Sequence, residues 1–509
     1  MKFKVQSSKF KSKLVNLKKY LPFFLLLIIL LIGGFLRFYR IKEYMTFLGD
    51  EGRDALVVKR IIIDHKFTLL GPITSVGSMY MGPIYYYFMV PFLWLWHFDP
   101  VGPSIMVALF AELTIALIFL LGTEFFSPIA GLIAAFLYAV SPLTVNYGRS
   151  SWNPNIVPFF SLLIIYSLLK LIVKRQHQWF LVIGLALGVL LQLHYVTLMF
   201  IPIIFVCLIF YRPHLKLNQY FGGTIAFFTS YSPFLLFELR HQFVNTRAAW
   251  HFVTTQKSGQ PFNLFTIFAT ISDVVVRLFW RLVVVTNAEF TKLFLLGLVM
   301  TLYIYFRNSK RNLKNRLSLN ILLLWLIIGI ISFGLYSGII YDYYFGGLFA
   351  APFILTAIAL TFLWQKSYFG KLVTLLTVFL LTFFSLQKSH LWMPPSNLLN
   401  NTEKIARFIY DKTEGQPYNF ALIANKNSDH AYRYFLEIWG HQPVIIENPV
   451  NDPERKTVTS QLLIVCEEKV CQPLGHPLWE IAGFGQAEIT GEWKVVTTTI
   501  LRLVHYQKT

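Results

Sequence analysis

Apolar runs of membrane-spanning length recur along this chain, separated by short polar segments. They fall near 21–39, 103–122, 128–147, 156–174, 179–194, 196–211, 220–237, 289–306, 318–338, 345–364 and 371–386. Roughly 20 apolar residues in helical form cross the hydrocarbon core of a bilayer. The pattern therefore predicts a polytopic α-helical membrane protein with about eleven transmembrane helices. Two other apolar stretches do not fit the series. Residues 82–98 are dense in Tyr and Trp, which suits the membrane–water interface. Residues 263–285 carry Asp273, Arg277 and Arg281, and each ion at the bilayer centre costs roughly 2.5–3.5 kcal/mol. Both stretches are expected to lie along the outer membrane face as interfacial helices.

Past residue 386 the pattern changes. After Pro394 and Pro395, "EKIARFIYDKT" and "DHAYRYFLEIWG" have helical spacing, the second closed by Gly440. "YNFALIA", "PVIIE" and "QLLIVC" read as strands. The expected organisation is a basic cytoplasmic N-terminus (1–20), a transmembrane domain (21–386) and a small extracytoplasmic α/β domain (387–509). The transmembrane domain is expected to carry outer loops at 40–102 and 238–288.

Composition and charge fix class and orientation. Hydrophobic residues make up 55% of the chain and charged residues only 14%, with mean hydropathy +0.55; soluble domains run closer to about 25% charged. The net charge of +20 is no sign of nucleic-acid binding. Its Lys and Arg residues cluster between apolar runs: Lys170, Lys174 and Arg175; Arg212 and Lys216; Arg307, Lys310, Arg311, Lys314 and Arg316; Lys366 and Lys371. The positive-inside rule places these clusters in the cytoplasm, which puts residues 45–66 and the C-terminal domain outside a cell membrane. There Cys466 and Cys471 are expected to form a disulfide, with two free thiols as the alternative. Cys207 reads as a small apolar residue within a span.

Candidate chemistry gathers in outer segments. The stretch "MTFLGDEGRDALVVKRIIIDHK" (45–66) sets Asp50 and Glu51 just after the first apolar run. It can form an amphipathic helix with Val57, Val58, Ile61 and Ile62 on one face. On the blander reading that helix is an interfacial anchor and Asp50 its cap. On the other, the carboxylate pair takes a proton from an acceptor hydroxyl. Arg277 and Arg281 lie four apart on one helix face, as a salt-bridge stripe or a phosphate clamp. Glu112 falls inside an apolar run and needs a partner or a proton.

These residues resemble the GT-C glycosyltransferases, in the branch of protein O-mannosyltransferases and lipid A aminoarabinose transferases. "GDEGRDALVVKRIII" is similar to the acidic opening of that family's first outer loop. "MGPIYYYFMVPFLWLWHFDP", "FFSPIAGLIAAFLYAVSPLTVNYGRSSWNPN", "LLQLHYVTLMFIP" and "YDYYFGGLFAAPFILTAIAL" resemble later family segments in order, over roughly residues 20–385. The resemblance implies a hexosyl or pentosyl transfer, inverting, from a polyprenyl-phosphate sugar to an acceptor hydroxyl on the outer face. Asp50 is then the general base, supported by Glu51. The donor phosphate falls to Arg149, Arg240, Arg277 and Arg281, and sugar or acceptor contacts to Asn153, Asn155, His194, Tyr195, Asp342 and Tyr343. The chain departs from the pattern in two places. Asn153 and Asn155 stand where relatives carry carboxylates, so no metal and no cofactor is expected. Met79, Tyr80 and Met81 precede the proline-led segment where a Lys or His is common, so another cation must meet the phosphate. The rival readings are a transporter or lipid flippase, and an inactive scaffold of the same fold.

Overall fold

The computed structural model describes residues 2–74, 79–255, 263–309, 312–336 and 338–506. Lys310 and Arg311 of the expected basic cluster lie outside the described residues. The chain sorts into two compact units. One comprises Met1–Tyr39, Thr68–Tyr87 and Ile105–Pro394; the other comprises Arg40–Phe67, Phe88–Ser104 and Pro395–Thr509. The expected outer loop 40–102 is divided between them: 40–67 and 88–102 group with the C-terminal residues, and 68–87 group with the first unit.

The first unit is helical. Among the described residues, six helices are long and apolar enough to cross a membrane: Tyr20–Phe38, Val101–Phe125, Asn153–Ile172, Ala288–Asn308, Leu313–Gly334 and Tyr368–Gln387. A seventh candidate is the pair Asp342–Leu348 and Ala350–Lys366, bent by 57°. The other expected spans appear as Pro128–Val140, Trp179–Leu193, Phe200–Tyr211 and Leu217–Arg240. The first three are short for a span and the fourth is diluted by polar residues, so among the described residues length and composition identify at least six spans, or seven with the bent pair. The run at 128–147 breaks because Pro142 cannot continue the helix before it and instead starts the helix Pro142–Tyr147. Along Tyr20–Phe38 the side chains of Leu21, Phe23, Phe24, Leu27, Leu31 and Phe35 are exposed. So continuous an apolar face is stable only against lipid, and the protein is a multi-pass membrane protein. Residues 82–98 give the helix Ile84–Leu95, only 12 residues long. Residues 263–285 give Leu264–Phe279, continued by a wider π-type turn over Trp280–Val284.

The second unit is built on a four-stranded sheet. Its strands are β1 (Asn419–Ile423), β2 (Gln461–Cys466), β3 (Ala487–Val495) and β4 (Thr498–His505), in the order β1-β2-β4-β3. β1 and β2 run parallel, and the other two pairs are antiparallel. Every residue of β1 and β2 is buried. Ala421, Ile423, Leu462, Ile464, Leu501 and Leu503 pack with Ile446, Ile481 and Phe484 as the core. Cys466 and Cys471 form a disulfide with an S–S distance of 1.97 Å. "PVIIE" is not a strand: within it only Val444 makes an isolated bridge, to Asn419. The helix His430–Ile438 ends as its glycine foretold. Gly440 takes φ +75, its N–H donates to Glu437 O, and His441 N–H reaches back to Leu436 O, a Schellman closure.

The acidic stretch forms the helix Gly49–Ile63, and it docks on this domain. Gly49 N–H donates to Asn427 Oδ1 at 2.9 Å. Lys59 pairs with Glu437 at 3.0 Å. The Phe47 ring packs edge-on against Tyr434 and Phe435. Two glycines permit the close approach. A Cβ at Gly49 would meet Ser428 Oγ at 1.9 Å, and one at Gly52 would meet Ala431 N and Cα at 2.4 Å. Alanine is the better helix former by about 1 kcal/mol, yet backbone at 2.4 Å cannot yield as a side chain end can. Gly52→Ala is therefore expected to destabilise this unit by about 1–3 kcal/mol. Gly222→Ala, where a Cβ meets nothing within 4 Å, should be neutral or stabilising. Calorimetry of both variants checks the pair; an unchanged melting temperature for Gly52→Ala contradicts the docking.

Candidate active site

In the first unit the structure gathers a cluster of cations and rings. Arg277 lies in the last turn of the helix Leu264–Phe279, and Arg281 lies in the π-type turn that follows. The wider turn rotates Arg281 relative to a regular helical register, and Val285 closes it at φ +64. A β-branched residue is strained in that conformation, and such turns and strain concentrate at functional sites. Both guanidiniums face Asp342. Arg281 Nε stands 2.7 Å from Asp342 Oδ2, and Arg277 Nε stands 3.8 Å from Oδ1. Arg277 also donates to Ile340 O at 2.9 Å and lies over the Phe345 ring. Asp342 thus faces two arginines, and Asp273 lies 3.8 Å from Arg277 Nη1 as a second carboxylate, so the four groups balance in formal charge.

Aromatic rings adjoin this pair. Tyr341 and Tyr343 stack with centroids 5.7 Å apart, and Trp152 approaches Tyr343 at 4.5 Å. His194 meets Tyr343 and Tyr344 at 5.8 and 5.0 Å. Val196 N–H donates to His194 Nδ1 at 3.2 Å, which leaves Nε2 as the ring's donor. Arginines suit phosphate oxygens, and flat rings with a few donors suit a sugar. Of the residues marked in the sequence, Arg277, Arg281, Asp342, His194 and Tyr343 are brought together. Trp152 and Tyr341 were not foreseen.

The other marked residues of this unit stand differently. Asn153 and Asn155 are buried, and their amides donate to Leu193 O at 2.5 Å and Ser150 O at 2.8 Å. Each spends one N–H on holding the turn. Tyr195 donates to Tyr80 O at 2.7 Å, which fastens the proline-led segment. Arg240 is exposed at the end of its helix. Arg149 is only 1% exposed and so is no snorkelling anchor. It acts together with Arg37 on His390, whose pKa falls to about 4 through burial first and these two cations second. Arg37 was missed, although it interrupts the first apolar run, which is itself a signal. It donates to Gly33 O, Ala139 O and Thr144 Oγ1, and lies 3.7 Å from Glu112. Glu112 thereby has its partner, and the pair explains a buried carboxylate without a transport path.

In the second unit the two carboxylates diverge. The Asp50 side chain is 55% exposed and accepts from Arg53 at 2.9 Å. Glu51 is buried, and it accepts from Leu48 N–H at 3.0 Å. Burial pushes its pKa up to about 7, the neighbouring Asp50 and Asp54 adding to the rise and the backbone donors opposing it. A pKa near 7 suits a base, but access comes first, and Asp50 is the accessible one. Among the described residues, no group of three His, Cys, Asp or Glu side chains is arranged to hold a metal ion.

Comparison with known proteins bears on this arrangement. Residues 81–237 match the family model described as dolichyl-phosphate-mannose-protein mannosyltransferase. No curated protein sequence matches the chain. Among solved structures, the chain is similar to ArnT from Cupriavidus metallidurans bound to undecaprenyl phosphate. The TM-score is 0.62 at 12% identity, covering 94% of this chain and 97% of that one. It is also similar to the archaeal oligosaccharyltransferase AglB from Archaeoglobus fulgidus, in complex with an inhibitory peptide and a dolichol-phosphate. That match has a TM-score of 0.53 at 16% identity and covers 88% and 70% of the two chains. The chain therefore has the GT-C fold.

Glu51 supplies a pH test. Below about pH 4.5 the group is protonated folded or unfolded and costs nothing. As pH rises towards 7 the unfolded chain ionises it freely while the folded unit resists. Stability should fall across that window by on the order of 3 kcal/mol. Glu51→Gln should abolish this loss, read as melting temperature at pH 5 and pH 7.5. An identical pH slope in the variant contradicts the assignment.

Proposed function

We propose that the protein is a membrane glycosyltransferase that moves a hexosyl or pentosyl unit from a polyprenyl-phosphate donor to an acceptor hydroxyl. The transfer takes place on the outer face of the membrane. Asp50 removes the hydroxyl proton as the oxygen attacks the anomeric carbon from the face opposite the phosphate. The bond between that carbon and the phosphate oxygen breaks with its electron pair. Configuration inverts, and polyprenyl phosphate leaves. Arg277 and Arg281 take up the charge on the departing phosphate, the largest electrostatic demand of the step. His194, Tyr343 and Asp342 orient the sugar.

The observation that carries this reading is the Arg277–Arg281 pair on Asp342 beside stacked tyrosines. The pair gains weight from the fold, since the similar ArnT structure holds undecaprenyl phosphate.

With purified protein and radiolabelled undecaprenyl-phosphate sugar, Asp50→Asn is expected to lower transfer by at least about 100-fold. Donor affinity should be retained. Arg281→Ala should weaken donor binding by roughly tenfold or more, as lost charge-assisted hydrogen bonds do. Near-normal turnover in Asp50→Asn would make the acidic stretch an anchor whose cap is Leu48 with Glu51, not Asp50, and the transferase reading would fail with it.

A further inference from the structure

The second unit contains a groove of about 580 Å³, a volume within the range of small-molecule sites. Asn425, Lys426 and Asn427 form one wall, and Glu467, Glu468 and Lys469 form the other. The first trio follows β1 and the second follows β2. The groove therefore opens at the carboxyl ends of two parallel strands, where α/β sheets commonly take their ligands. Leu48 completes the lining, and Gly49 N–H is tied to Asn427 Oδ1 at 2.9 Å. The start of the acidic helix is thus tied to the groove, two residues before Asp50 in the chain.

The walls are firm. Asn427 Nδ2 donates to Glu467 Oε1 at 2.9 Å, and Tyr432 donates to the same oxygen at 2.7 Å. The disulfide between Cys466 and Cys471 closes the loop that carries Glu467, Glu468 and Lys469.

We propose that this groove is the acceptor subsite and that it takes a saccharide. This rests on the transferase reading above and adds the acceptor's class. Among the described residues Leu48 is the only apolar residue of the lining, and a lipid chain or an apolar peptide would leave the surrounding carboxamide and charged ends without hydrogen-bond partners. The lining's two lysines balance its two glutamates, so no charge excess favours a phosphate-dense acceptor. Carboxamide, carboxylate and ammonium groups at close spacing supply the donors and acceptors that neighbouring sugar hydroxyls need. A saccharide held there offers one hydroxyl to Asp50.

The test uses full-length protein in nanodiscs on an array of neutral oligosaccharides, phosphorylated glycolipids and Ser/Thr-rich peptides. Neutral oligosaccharides should bind. Asn425→Ala combined with Lys469→Ala should weaken them by about tenfold. The Cys466→Ser, Cys471→Ser variant, which loosens one wall only, should weaken them too. Asp50→Asn should leave this binding unchanged, so loss of transfer and loss of the acceptor read separately. Capture of peptides or phosphorylated glycolipids alone, equal saccharide binding by the groove variants, or no saccharide binding at all overturns the proposal.

Discussion

A charge taken out of water costs several kcal/mol unless it meets an opposite charge or a set of hydrogen bonds, and in a protein this apolar few partners are at hand. That constraint orders the molecule. Arg37, fully buried in the first span, is met by two backbone carbonyls, a threonine hydroxyl and Glu112. Removing Glu112 would leave a buried guanidinium short of charge, so the pair reads as part of the packing. Glu51 answers the same constraint in another way, by holding its proton to a higher pH.

Asp342 shows how the constraint makes a site rather than a seal. Asp342 faces Arg277 and Arg281, and Asp273 faces Arg277, so the cluster is balanced and stable when empty. The exposed Asp273 and the N–H groups left over on each guanidinium are where a phosphate can enter, in competition with the carboxylates. The rings of Tyr341, Tyr343 and Trp152 beside it are fixed by mutual packing, so little side-chain entropy remains to be lost on binding. In the second unit the division between a buried Glu51 and an exposed Asp50 assigns adjacent carboxylates different work. Gly49 and Gly52 in the same motif serve neither charge; they let the helix touch backbone.

Much of this was legible in the sequence, for identifiable reasons. Spans with continuous apolar runs, such as Val101–Phe125 and Leu313–Gly334, were readable because lipid sets both their length and their composition. The division at Pro142 was not, since the run stays apolar on both sides of the break. β1 and β2 were readable as buried apolar strands. β3 was hidden because most of its residues are exposed at a sheet edge, and β4 was missed with it. "PVIIE" misled because an apolar run says nothing about whether a neighbour is free to pair. Arg277 and Arg281 were found by their spacing of four. Asp342 as their shared partner lies some sixty residues away, and no local pattern carries that. Asn153 and Asn155 looked like site residues, and only the backbone around them shows that their amides are already engaged.

The central claim is that Arg277 and Arg281 form the seat of the donor phosphate. An electron cryo-microscopy map of the protein in nanodiscs with undecaprenyl phosphate tests it directly. The account predicts phosphate density within hydrogen-bond distance of both guanidiniums, with Asp342 still in contact with Arg281. Phosphate density at Arg37, Arg149 and His390 instead, with the Arg277–Arg281 pair unoccupied, would contradict it.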